Sequence, residues 1–293
     1  MLNNHKKIKI LVVIAFIIWI LLAVAIKIVK LKGYYLIYDW MYSIIIYMIL
    51  FLGILLSGKN RYLKRIEYGA ICIMLIINTK CLLDNSKNKM FIFKSPNLKN
   101  EIIIKEFVKK QDGMDEVVKT LDLKRRFYLF ARKNSEYPTK NAYRSFSAGS
   151  YKVNWIKDNI AVVNYLYNDK SKIIKQHVYT FNSEKPSSYK YVEVSIRGMW
   201  KNKEKPNDTL TVKKDKVIYV KDGKKFIYDT DNAKQKGYTA VVFDGVGKAP
   251  DLSIVFNEGV TIDSSCLLKK TDTIFIGYVS LEDEKYGLFE KVD

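Results

Sequence analysis

The chain has 293 residues, 50 of them Lys or Arg against 30 Asp or Glu, for a formal net charge of +20. The excess is carried by 43 Lys and only seven Arg, which argues against base reading, because nucleic-acid readers rely on Arg forks for base edges and phosphates. Of three cysteines, Cys72 and Cys81 share one apolar segment and Cys266 stands alone in the tail; no disulfide framework can staple that tail, which must be held by its own core.

The amino-terminal region, 1–88, is read as membrane-embedded. Ile10 to Ile26 is uninterrupted aliphatic and aromatic sequence, and Leu36 to Leu56 contains only Asp39 as a charge. A spanning helix needs about 20 apolar residues, so both qualify. Ile66 to Leu83 has the length, but Glu67 and Lys80 sit near its ends; such charges can reach the interface, and an interfacial or re-entrant helix is the alternative. Three crossings are expected, at about 10–31, 36–57 and 66–83. Lys6, Lys7 and Lys9, with Lys59, Arg61, Lys64 and Arg65, would then lie inside, as the positive-inside bias requires. Tyr34, Tyr35, Tyr38, Trp40 and Tyr42 form an aromatic belt at the other end, and Asp39 falls within it as an interfacial residue. The expected location is the cell membrane, multi-pass, with the amino terminus cytoplasmic and the carboxyl-terminal domain extracytoplasmic. Ala23-Val24-Ala25 also fits a signal-peptide cleavage site after Ala25, although no polar stretch precedes Ala23.

Beyond residue 88 the pattern is all-β, with strand signals every 10 residues or so. Strands are predicted at 91–94, 101–107, 151–156, 160–167, 172–181, 216–221, 224–228, 240–243, 252–256, 273–280 and 287–292. Asp222-Gly223 is the strongest short hairpin signal. Only Asp112 to Leu121 reads as a helix, with Asp112 as N-cap and Val117, Val118 and Leu121 on one face. The polar, proline-bearing stretch 183–188 divides the tail into a first β-rich domain with one short helix, 89–183, and a second all-β domain, 189–293. The fold class is therefore a membrane-anchored all-β protein with three transmembrane helices and two small β domains.

The second domain opens with Gly198-Met199-Trp200 and has about eight predicted strands. In this it resembles the lipocalin-like group, whose up-and-down barrels begin with a Gly-x-Trp. The resemblance covers about a third of the chain and implies that Gly198 and Trp200 close a barrel floor, with an amphiphile as the ligand. A β-sandwich with a packed Trp is the alternative. The whole layout resembles uncharacterised bacterial membrane-anchored proteins with an extracytoplasmic β-rich tail, and the Ile, Asn, Lys and Tyr usage fits an AT-rich genome.

Catalytic patterns fail. His5 and His177 are the two histidines, too few in the tail for a multi-His metal site, and a triad would have to use His177. Gly245-Val246-Gly247-Lys248 imitates the end of a P-loop, but Val242, Ala249 and Pro250 break the pattern. Asp229-Thr230-Asp231-Asn232 begins like a calcium loop without its later acid or central Gly. No catalytic, cofactor or metal residues are assigned and no cofactor is expected. The expected function is non-enzymatic binding of a ligand or protein partner at the cell envelope, with the lipid bilayer as the first partner. A carboxylate-based wall hydrolase and an accessory or immunity-type membrane subunit are the alternatives.

Overall fold

The structure, a computed structural model, describes residues 2–58, 60–111, 114–170, 172–181, 195–236, 239–256, 272–277, 281 and 287–292. The chain divides into two compact units, Met1–Ile92 with Ile102–Tyr137, and Phe93–Glu101 with Pro138–Asp293. The division expected at 183–188 lies outside the described residues.

The first unit joins three apolar helices to a sheet. Helix α1 is Leu2–Leu31, α2 is Trp40–Leu56 and α3 is Arg61–Ser86. Among the described residues only α1 and α3 are long and apolar enough to cross a membrane; α2 is shorter. The expectation of three full-length spans is corrected accordingly, and the cause is local. Tyr34–Leu36 forms a strand, β1, so the apolar run 36–56 starts extended and its helix begins four residues late. The third segment is longer than expected because Asn60 caps it, accepting from the Tyr62 amide at 3.0 Å, and its polar flanks coil with it.

The sheet of this unit runs β1-β5-β4-β3-β2, where β2 is Lys89–Lys94, β3 Glu101–Gln111, β4 Met114–Phe127 and β5 Phe130–Tyr137. The helix expected over 112–121 is a strand from Met114 onward, and Asp112 lies outside the described residues. Period two won there: Leu121 and Leu123 are both buried, in one core with Ile37, Ile103 and Ala131. Opposite them β3 supplies the partners Lys105 and Ile103.

The second unit has two sheets. The smaller is a three-stranded meander of β6 Tyr151–Lys157, β7 Ile160–Leu166 and β8 Ile174–Thr180. The larger has nine strands, one more than expected: β9 Gly198–Asn202, β10 Thr209–Val212, β11 Lys216–Lys221, β12 Lys224–Asp229, β13 Ala233–Lys236, β14 Ala240–Phe243, β15 Leu252–Phe256, β16 Thr273–Ile276 and β17 Gly287–Val292. Its order is β12-β11-β10-β9-β17-β16-β15-β14-β13, antiparallel throughout. The last strand thus pairs with the first, and the sheet curls into a nearly closed barrel. Asp222 and Gly223 both take positive φ, 48° and 75°, as a two-residue hairpin turn of matching twist requires.

Alternation sorts the barrel strands into an inner and an outer set. Inward-facing Trp200, Leu210, Tyr219, Phe243, Ile254 and Phe289 belong to a filled core. On the outside, Ala240, Val242 and Val255 pack against Ile160, Val162 and Val178 of the small sheet. Trp200 is fully buried, and its indole N–H donates to the Ile196 carbonyl at 2.8 Å. Gly198 has φ +131°, and a Cβ there would press on the Lys291 side chain at 3.1 Å, so no other residue suits it.

Deleting the indole should open a cavity in this core. Trp200→Ala is expected to lower the stability of the full chain by about 3–5 kcal/mol. The exposed substitution Lys224→Ala should stay within about 0.5 kcal/mol of wild type. Denaturant unfolding followed by circular dichroism in detergent measures both; an indifferent Trp200→Ala would contradict the packing described.

Candidate functional site

The most unusual chemistry lies in the first unit, where a lysine is buried. Alternation places Lys105 on the same face of β3 as Ile103 and Phe107, and it is only 2% exposed. An ammonium is almost never fully buried unless paired. Here its Nζ lies 2.8 Å from Asp39 Oδ2 and donates to the Leu36 carbonyl at 2.9 Å. It also stands 5.0 Å from the centre of the Phe107 ring, within cation–π range.

Four elements supply this cluster. Asp39 occupies the N-cap position of α2, yet its side chain makes no capping bond. Instead its carboxylate takes Lys105 and a donated bond from the Asn88 side-chain amide at 3.1 Å. Asn88 follows the end of α3, and its Oδ1 accepts from the Val108 amide of β3 at 3.1 Å. The start of α2, the end of α3, β1 and β3 therefore meet on one ion pair. Burial pushes the Lys105 ammonium below its ordinary value, Asp39 pulls it back up, and Lys30 adds to the downward side.

Two cavities flank the pair. One, of about 280 Å³, is lined by Tyr38, Trp40, Asn85 and Ser86 beside Asp39 and Lys105. The other, of about 320 Å³, lies on the Lys30 side of Asp39, against Tyr34 and Tyr35. A buried amine with a lowered pKa is one way to build a nucleophile or base. In this site two acceptors hold the ammonium, so its geometry suits positioning of the surrounding strands and helices.

Sequence reasoning placed Asp39 at an interface but missed Lys105 and Asn88. The signal was present in Ile103-Ile104-Lys105-Glu106-Phe107, where a lysine alternates with apolar residues. Gly198 and Trp200 sit in the barrel of the second unit. His177 lies on β8 with its ring edge-on to Tyr179, centroids 4.8 Å apart. The Gly245 amide of the P-loop-like stretch donates to Asp251 Oδ1 at 2.9 Å, so that donor is already used. Asp229 caps a short 3₁₀ turn by accepting from the Asp231 amide at 2.9 Å. Among the described residues no three His, Cys, Asp or Glu side chains gather into a metal site. Comparisons with protein-family models, curated proteins and solved structures return no match, so the reading of the site rests on its own geometry.

Breaking the pair should be costly in one direction. Asp39→Asn strands a buried ammonium and is expected to destabilise the chain by about 3–5 kcal/mol, whereas Asp39→Leu combined with Lys105→Met should recover most of that loss. Thermal unfolding of the three variants in detergent decides; additive losses in the double variant would contradict an isolated pair.

His177 gives a pH prediction for the second unit. Burial, with a contribution from Lys236, pushes its imidazole from 6.5 down to about 3. A base with a depressed folded-state pKa binds fewer protons folded than unfolded, so its neutral state costs nothing above about pH 6.5 and stability falls as pH drops toward 3. The gap between wild type and His177→Phe in unfolding midpoint should therefore shift against wild type between pH 7 and pH 4. A constant gap would mean the imidazole is solvated.

Proposed function

We propose that this chain is a non-enzymatic, membrane-anchored protein of the bacterial cell envelope that holds its β structure outside the cytoplasm to bind a partner there. The observation that carries this reading is the exposure of α1 and α3. Only 11% of the apolar window of each is buried, whereas a core helix of a soluble protein would be covered. Surfaces this apolar need a non-aqueous neighbour.

The helices also support a direction. Lys30 lies over the Tyr42 ring, and Phe16 approaches Gly53, so α1 and α2 run antiparallel. Asn78 donates to the Ser43 carbonyl, and Ser57 to Glu67, so α2 and α3 do too. Lys6, Lys7 and Lys9 then share one end with Arg61, Lys64 and Arg65, and the positive-inside bias puts that end in the cytoplasm. At 17 residues α2 spans about 26 Å, enough to return the chain across a bilayer thinned or bridged by its flanks. The filled barrel core favours recognition on outer surfaces over an enclosed amphiphile.

Thiol labelling in intact cells tests the orientation. In a background with Cys72, Cys81 and Cys266 replaced by Ser, Asp222→Cys should react with a membrane-impermeant maleimide, while Lys9→Cys should react only after permeabilisation. Protection of Asp222→Cys would put the β structure inside and defeat the reading.

A further inference from the structure

A third cavity of the first unit, of about 210 Å³, lies between α1, α2 and the turn joining β4 to β5. All ten residues lining it are hydrophobic, among them Trp19, Leu22 and Ile26 of α1, Met41 and Ile44 of α2, and Leu129 of the turn. It holds none of the polar side chains found in the two cavities beside Asp39.

The turn itself is unusual. Tyr128 is 91% exposed and Leu129 38% exposed at its tip, where a soluble hairpin would carry polar residues. It is nevertheless firmly placed. The Ile37 amide donates to the Leu129 carbonyl at 3.0 Å, and Phe130 packs against a core of Ala23, Ile26, Leu36 and Ile45. Arg125 Nη1 donates to the Tyr128 carbonyl at 2.8 Å, bracing the tip. Lys124 and Arg126, just before the tip, are exposed. Residues 124–132 hold four basic groups and no acid, and Lys124, paired with Arg132, lies on the face of the sheet that Phe130 turns to the groove.

We propose that this groove is a binding site for one anionic phospholipid, with an acyl chain laid between α1 and α2 and the phosphate against Lys124 and Arg126. The inference rests on the membrane reading above. The apolar lining takes the chain, while the basic residues leading into the turn select the headgroup. Trp40 lines the groove beside Tyr38 at the start of α2, which puts the groove at the depth expected of an interfacial aromatic belt. Tyr128 and Leu129 then enter the interface beside the bound lipid and explain their exposure.

Native mass spectrometry of the delipidated full chain, with phosphatidylglycerol or phosphatidylcholine added, tests the site. One phosphatidylglycerol should bind in preference to phosphatidylcholine. Lys124→Gln with Arg126→Gln should cut that preference roughly 30-fold, from about 1 kcal/mol per basic residue near an anionic surface. Ile44→Trp, which fills the groove, should abolish the bound lipid while leaving the barrel intact. Equal binding of both lipids, an unchanged preference in the charge variant, or a second copy of the chain in place of lipid would each overturn the proposal. Alkaline carbonate extraction of cell membranes separates this from failure of the membrane reading: release of the chain defeats that reading, whereas retention without lipid selectivity defeats only the site.

Discussion

The three residues Tyr34–Leu36 determine how the first unit is built, because they are taken into a sheet between two apolar helices. Pairing of Tyr34, Tyr35 and Leu36 with Arg132, Ala131 and Phe130 satisfies a stretch of backbone that would otherwise lie bare between α1 and α2. The same pairing shortens α2, leaves Asp39 at its start, and brings the β4–β5 turn against both helices. Leu36 serves twice, since its carbonyl also receives the Lys105 ammonium. A chain that simply coiled through 34–36 would have longer helices but no junction with the sheet, no partner for Lys105 and no apolar groove.

The buried ion pair is weak evidence for stability as such, because desolvation costs each ion several kcal/mol and a well-packed apolar pair could do as well. Its stronger consequence is register. Along β3, Lys105 is followed by Glu106, so a slip of one residue would turn a cation away from Asp39 and bring an anion toward it. Apolar neighbours Ile102, Ile103 and Ile104 discriminate poorly between registers, since each would be content on the buried face. One charge of the right sign supplies the discrimination that three isoleucines lack. Asn88 extends this control to the end of α3, binding the carboxylate with one atom and the β3 backbone with another.

Much of the architecture was legible in local patterns. Ala240–Phe243, Leu252–Phe256 and Gly287–Val292 lie where alternation and flanking turn residues put them. Asp222-Gly223 makes its hairpin because the turn chemistry is contained within two residues. The misreadings share a cause: each depended on strand pairing that local spacing does not display. The stretch 112–121 has helix-compatible spacing, yet from Met114 on it folds back on β3 as a strand, while Tyr34–Leu36 becomes a strand only because β5, about 95 residues on, is there to pair with it. Lys105 looked like one more surface lysine among 43. Its role depends on Asp39, 66 positions earlier, and nothing local marks that pairing except alternation with Ile103 and Phe107.

The nearly closed barrel raises the problem of its two free edges. Strands β12 and β13 are joined by the three-residue turn Thr230–Asn232 but end the sheet on opposite sides. Open edges invite pairing with other chains. These two carry Lys224 and Lys225 on one side and Lys234 and Lys236 on the other, and Lys234 is tied to Asp244. Lysines on edge strands oppose the approach of a second, equally basic copy and make flat strand-to-strand contact unfavourable. Phe226 and Ala233 meanwhile turn inward against the common core, so both edges are anchored without being bonded to each other. Part of the lysine excess therefore has a structural reason: it keeps an incompletely closed sheet from finding its missing neighbour in another molecule.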